Sequence, residues 1–181
     1  MNIREFIKTR GLTKYLIIGF AILAVALILQ EFFLIFVLII LSLVVSFFIG
    51  MFQMSKAVGV ELVTFTTILA GFAFGPSWGI AIGLVLIILH LTLGHFAAGP
   101  YVLWVVPSYA LIGFLAGTIT GLDFVTMGVY MTIGLNAFNL FATVTTYPQN
   151  IGNYLPYSIT NILFNLILFN QIGPIIAVLV K

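Results

Sequence analysis

The stretch Gly59–Gly83, GVELVTFTTILAGFAFGPSWGIAIG, places a Gly-Pro pair inside an otherwise continuous apolar run. Proline has no amide N–H to continue a helix, and glycine enters positive φ without strain, so the run reads as two helices joined by a very tight turn at Gly75-Pro76. Gly71 and Gly75 form one Gly-x-x-x-Gly pair before the break, and Gly79 and Gly83 form a second beyond it. Small residues at that spacing share one helix face. In lipid, where water does not drive helices together, the close backbone approach they permit carries much of the association. One acidic residue, Glu61, opens the run, and Thr64, Thr66 and Thr67 follow within two turns.

That pattern belongs in a membrane. Of the 181 residues, 63% are hydrophobic and only 6% charged, against roughly 25% charged in soluble domains; so few charges could not cover a water-exposed surface. At roughly 20 residues per helical span, the chain has room for six or seven transmembrane helices in a single compact all-α bundle. The apolar runs are continuous rather than alternating, which excludes a membrane barrel. A net charge of +2 gives no electrostatic basis for binding nucleic acid, and the absence of cysteine removes disulfides, thiol nucleophiles and thiolate metal sites.

Arg4, Lys8, Arg10 and Lys14 make residues 1–14 a basic segment, expected in the cytoplasm. No small-x-small cleavage site follows it, so the next apolar run reads as a retained helix rather than a targeting peptide. Helices are expected over 15–29 and 32–50. An unbroken helix across both would be about 54 Å long, too long for a hydrocarbon core of about 30 Å, so a hairpin is expected at Gln30-Glu31. The two helices make a pair over 15–50, ahead of a core bundle over 51–181. Further helices are expected at 61–74, 78–93, 101–120, 124–145 and 157–180, the last broken near Gly173-Pro174. Tyr147–Pro156 is the most polar connection and is expected to be a loop.

If the five core helices each cross once, parity gathers three connections at one end, carrying Lys56, Glu61, His95, Tyr101, Tyr147, Asn150, Asn153 and Tyr154. The opposite end keeps little polarity beyond Asp123 and Lys181. With seven crossings in total, the polar mouth faces the cytoplasm; if the first two helices together cross once, it faces outside.

Few residues can carry chemistry. Glu61 reads either as a functional intramembrane carboxylate or as an acid favoured by the positive end of a helix. Asn136, Asn139 and Thr143 share one face of their helix, and Asn161 and Asn165 share one face of the next. The two amide faces either line a polar cavity or bond the helices together. Trp104 and the mouth tyrosines suit a membrane interface or stacking on a flat solute. His90 and His95 lack Cys, Asp or Glu at ligand spacing, so they read as structural or solute-contacting rather than metal-binding. No catalytic motif and no phosphate-binding loop is present, so neither enzymatic activity nor a cofactor is expected, and energy for active transport would have to come from a partner or an ion gradient.

Glu61, the run Leu69-Ala70-Gly71-Phe72-Ala73-Phe74-Gly75-Pro76, and Gly79 and Gly83 resemble the substrate-binding S component of energy-coupling factor (ECF) transporters. The likeness extends through Pro107–Gly117 and the Asn-rich segment Asn150–Asn165, and covers about residues 57–180. The resemblance implies a six-helix core in the plasma membrane that captures a vitamin-like small molecule or a metal ion, under loops that close over it. It also implies docking on a membrane T component driven by two ATPase subunits. In that family small residues on the first core helix form the docking face, a role that Ser42, Ser46 and Gly50 could serve. The helix over 15–29 is extra to the family pattern. The candidate solute contacts are Glu61, His95, Trp104, Asn136, Asn139, Asn161 and Asn165. The competing reading is a structural membrane protein similar to the D-type rod-shape-determining proteins, which organises other proteins and binds no solute.

Overall fold

The computed structural model describes residues 12–28, 30–52, 58–94 and 99–180, and every regular element among them is helical. Among the described residues eight α-helices follow in order: α1 Leu12–Ile28, α2 Gln30–Met51, α3 Val63–Phe74, α4 Pro76–Leu93, α5 Val102–Thr118, α6 Phe124–Thr146, α7 Ile151–Gln171 and α8 Gly173–Leu179, with a 3-10 turn at Pro148–Asn150 before α7. The chain divides into two compact units, Met1–Leu34 and Ile35–Lys181. The boundary falls inside α2 rather than after Gly50. Lys56 and His95 lie outside the described residues.

In the first unit, α1 is apolar on all sides and its side chains from Lys14 to Ala24 are exposed, the pattern of a helix that meets lipid rather than water. Gln30 and Glu31 do not form the expected turn: both belong to the first turn of α2, where Glu31 suits the positive end of the helix.

Glycine builds the centre of the second unit. Gly75, with φ of 90°, is the single residue between α3 and α4, and Pro76 takes the first position of α4, for which its fixed φ is prepared. Helix α4 therefore starts two residues earlier than the sequence pattern indicates. The two helices then pack against α5 at backbone distance. A Cβ on Gly113 would stand 2.2 Å from the carbonyl oxygen of Gly79, and one on Gly71 would stand 2.4 Å from that of Gly113. Gly75 itself meets nothing, so it serves the turn and not the helix contact that the Gly-x-x-x-Gly pattern suggested.

The second half of α2 packs inward. Ser42 and Ser46 are each 1% exposed; Ser42 Oγ lies 3.2 Å from Thr66 Oγ1 on α3, and Ser46 Oγ lies 2.8 Å from His90 Nδ1 on α4. A Cβ on Gly50 would overlap the carbonyl of Leu93. This small-residue stripe is used inside the molecule and offers no external docking face.

Helices α6 and α7 are antiparallel neighbours. Gly128 packs on Phe169 and Asn136 bonds Asn161, so the register places Thr132 opposite Asn165 between them. Phe65, Phe124 and Phe169 close the apolar core with ring centroids 4.8 to 5.5 Å apart.

By length and apolarity α2, α4 and α6 can each cross a bilayer. The segment Pro148–Gln171 with α8 makes a fourth candidate span, bent by 52° at its break; the bend falls at the Gly173-Pro174 interruption expected from sequence. Helix α3, with 12 residues, rises about 18 Å, well short of a hydrocarbon core of about 30 Å. Among the described residues three to four spans are therefore long enough, against the six or seven expected. The apolar helices suggest a membrane protein.

Candidate solute site

The site begins at the segment leading into α3. Gly59 is buried against α7, where a Cβ would stand 2.3 Å from the Tyr157 carbonyl oxygen. Its N–H donates to Thr160 Oγ1 at 2.7 Å, and its carbonyl accepts from Asn161 Nδ2 at 3.0 Å. Both backbone groups of one residue are thus tied to α7, and the glycine is required by the closeness of that approach.

Two residues on, Glu61 is 1% exposed. Its Oε2 accepts from the Thr64 backbone N–H at 2.9 Å, and its Oε1 accepts from Thr64 Oγ1 at 2.5 Å and Asn161 Nδ2 at 2.9 Å. Both oxygens of the side chain therefore have donors. The acid caps α3, as the helix dipole favours, and also holds α7.

From Glu61 two paths run to the wall of a cavity. Thr64 Oγ1 lies 3.1 Å from the Tyr109 hydroxyl. Asn161 Oδ1 accepts from Asn136 Nδ2 at 2.8 Å. Tyr109, Tyr157 and Asn136 all line the cavity, together with Asn139, His90, Tyr101, Tyr147 and Tyr154. Its volume is about 180 Å³; for scale, a dry cavity of roughly 150 Å³ accepts benzene. The lining side chains come from α4, α5, α6, α7 and the segments before α5 and α7, and none of those described is charged. At the mouth, burial and then the neighbouring Tyr147 push the Tyr101 phenol above its ordinary range, so it stays neutral.

Asn139 and Asn136 reach the cavity as the spacing on α6 anticipated. Asn139 Oδ1 accepts from Ser108 at 3.3 Å. Asn161 and Glu61 stand behind the wall rather than in it. Asn165 is fully buried one turn further along α7; its Nδ2 donates to the Asn161 carbonyl at 3.1 Å, and its Oδ1 has no partner among the described residues, like Thr132 Oγ1 across the helix pair. Trp104 is half-buried on α5 and is not among the lining residues, and its Nε1 has no partner among the described residues. The expected contact from His95 falls outside the described residues.

Tyr109 was not singled out as a site from sequence, because only tertiary packing brings it to the cavity; His90, read from sequence as structural or solute-contacting, lines the cavity and lies 2.8 Å from Ser46 Oγ. The one signal was the placement of two polar groups, Ser108 and Tyr109, after Pro107 in an apolar helix. Among the described residues no three His, Asp or Glu side chains come close enough to hold a metal ion. No family model matches the sequence, no curated protein matches it, and no solved structure matches the fold.

Proposed function

We propose that this chain is a membrane-embedded solute-binding protein of the plasma membrane that takes up a vitamin-like small molecule, in the manner of the S component of an ECF transporter. One observation carries the reading. In a chain with 6% charged residues, amides, phenols and an imidazole from four helices converge on one cavity sized for a small ring compound. Pockets of this kind, with a few placed polar groups in an apolar frame, are where ligands bind. Asn136 and Asn139 would touch the solute, and Asn161 and Glu61 would hold Asn136 and Tyr109 in place. The chain would cross the bilayer six or seven times, with α3 and α5 as short spans supported by their neighbours. Movement of the solute would depend on a T component and its two ATPase subunits. The lining of hydroxyls and amides suits an organic solute better than a metal ion.

A thermal-shift screen of the purified protein against vitamins and metal ions tests this, because a ligand that binds only the folded state raises the melting temperature. At least one organic compound is expected to stabilise the protein. Asn139→Leu is expected to abolish that response while the protein still inserts, and Asn165→Leu, off the cavity, is expected to preserve it. No stabilising compound in the panel would return the chain to the scaffolding reading.

A further inference from the structure

Four asparagines line the cavity, Asn136 and Asn139 on α6 and Asn150 and Asn153 at the more exposed start of α7. A side-chain amide carries donor and acceptor together, and its neighbours decide which of the two is left for a solute. For Asn136 the decision is complete. The Gly59 carbonyl only accepts, so the Asn161 group 3.0 Å from it is the NH2, and Asn161 turns its Oδ1 to Asn136. Asn136 donates one N–H to that oxygen at 2.8 Å and the other to the Thr132 carbonyl at 2.9 Å. Its own Oδ1 is what it offers the cavity.

Asn139, three residues on, offers the opposite character. Its Oδ1 accepts from Ser108 at 3.3 Å, which leaves the N–H groups; with the amide turned over, one N–H would serve Ser108 and one would still remain. Three residues rise about 4.5 Å along a helix, so an acceptor and a donor stand within reach of one edge of a ring. The start of α7 repeats the pairing: Asn153 Nδ2 lies 3.3 Å from Asn150 Oδ1, and between them the two keep an amide oxygen and N–H groups. Flat faces come from tyrosine. Five of the chain's seven tyrosines line the cavity, and phenol rings pack well on other flat rings. Proteins hold heterocyclic bases in this way, with amides on the hydrogen-bonding edge and aromatic rings on the faces.

We propose that the cavity selects a planar heterocycle with a lactam edge, a ring N–H beside a ring C=O, on one ring or two fused rings. The N–H donates to Asn136 Oδ1, the C=O accepts from Asn139, and tyrosine rings cover the faces. The proposal rests on the solute-binding reading above and deepens it by naming the chemical class of the solute. A ring without the N–H would displace water and leave Asn136 Oδ1 unpaired, and sites built to hydrogen-bond a solute reject analogues on that ground.

The test uses three compounds on the full-length protein in nanodiscs at neutral pH: 4-methyl-2-quinolone, its isomer N-methyl-2-quinolone, and δ-valerolactam. The concentration giving half the maximal thermal shift is the readout. The two isomers have the same atoms, and only the first keeps the ring N–H; it is expected to act at a concentration about tenfold or more below that of the second. The saturated δ-valerolactam keeps the edge but has no aromatic face, and is expected to need a concentration about tenfold or more above that of 4-methyl-2-quinolone. In Asn136→Leu the ratio between the isomers is expected to fall towards one. Asn139→Asp keeps the side chain's shape and puts an acceptor in place of the donor, so it should weaken both isomers several-fold and leave their ratio unchanged; it provides a second variant should Asn136→Leu fail to fold. Equal or stronger action of the N-methyl isomer or of δ-valerolactam overturns the lactam assignment, as does an unchanged ratio in Asn136→Leu or unchanged affinity for both isomers in Asn139→Asp. Silence from all three compounds also overturns it. The solute-binding reading falls as well only if the vitamin and metal panel is silent too.

Discussion

Two short segments of this chain make the same local structure and do different things with it. Glu61-Leu62-Val63-Thr64 opens α3, and Asp123-Phe124-Val125-Thr126 opens α6. In each, a carboxylate accepts from the backbone N–H and the hydroxyl of the threonine three residues on. The distances are 2.9 and 2.5 Å for Glu61 and 3.0 and 2.7 Å for Asp123. Asp123 is itself the N-cap, whereas Glu61 stands one residue further out, before Leu62, and its extra methylene makes up the reach. The environments are opposite. Asp123 is exposed and its side chain serves only its own helix start, while Glu61 is buried and bonded across the fold to Asn161. The capping motif is a local device. What gives one copy a further role is burial, which turns each of its bonds from an option into a requirement.

The comparison is broken most directly by removing each acid in turn. Glu61→Ala would strand the Thr64 N–H, the Thr64 hydroxyl and one Asn161 N–H in a buried site. Each stranded group costs about 1–3 kcal/mol, so a loss of about 3 kcal/mol or more is expected. Denaturation of the purified protein should show a large fall in midpoint, and Asp123→Ala should show only a small one. Similar losses in the two variants would mean that burial does not separate the sites.

Asn161→Leu sharpens the point, because it removes the long-range partner and leaves the cap intact. The Gly59 carbonyl and one Asn136 N–H would lose their partners, for an expected cost of about 2 kcal/mol. Interhelical hydrogen bonds in membranes average only about 0.6 kcal/mol; a measured loss near that value would show that the α6–α7 pair relaxes and re-forms its bonds. Next in size is the threonine pair. Thr64→Val deletes a hydroxyl that joins Glu61 to Tyr109 and should cost about 1 kcal/mol. Thr126→Val, at the exposed cap, should cost measurably less in the same denaturation assay.

Much of this architecture could be read from residue order, and the failures have physical causes. The Gly75-Pro76 turn and the inward amides at Asn136, Asn139, Asn161 and Asn165 follow from backbone constraints and helical spacing, which are local. Tyr147–Pro156 was expected to be a loop on polarity alone, yet it forms a 3-10 turn and the start of α7. Its polar side chains have a cavity to face, with Asn150 and Asn153 both in the lining and bonded to each other at 3.3 Å. Ser42, Ser46 and Gly50 were legible as a small-residue stripe, but spacing cannot say whether such a stripe meets another protein or the next helix. Trp104 was placed by residue type, and half a turn of rotation on α5 decides whether such a side chain meets a cavity or not. The links that matter most, Thr64 to Tyr109 and Ser46 to His90, join residues 45 and 44 positions apart, and no local pattern encodes them.

The smallest effect expected is the acid response of the exposed cap. The backbone N–H of Thr126 and then its hydroxyl hold the Asp123 carboxyl below its ordinary value of 3.8. A carboxyl depressed in the folded state contributes stability that is fully present above its unfolded pKa and is lost as pH falls through the folded one. The difference in midpoint between the wild type and Asp123→Asn should therefore be constant from about pH 7 down to about pH 5 and shrink below about pH 4. Because Asp123 is exposed, salt should reduce that difference as well. An effect that persists unchanged in strong acid would show that the carboxyl holds Thr126 equally well when protonated, and that charge is not what distinguishes this cap from a neutral one.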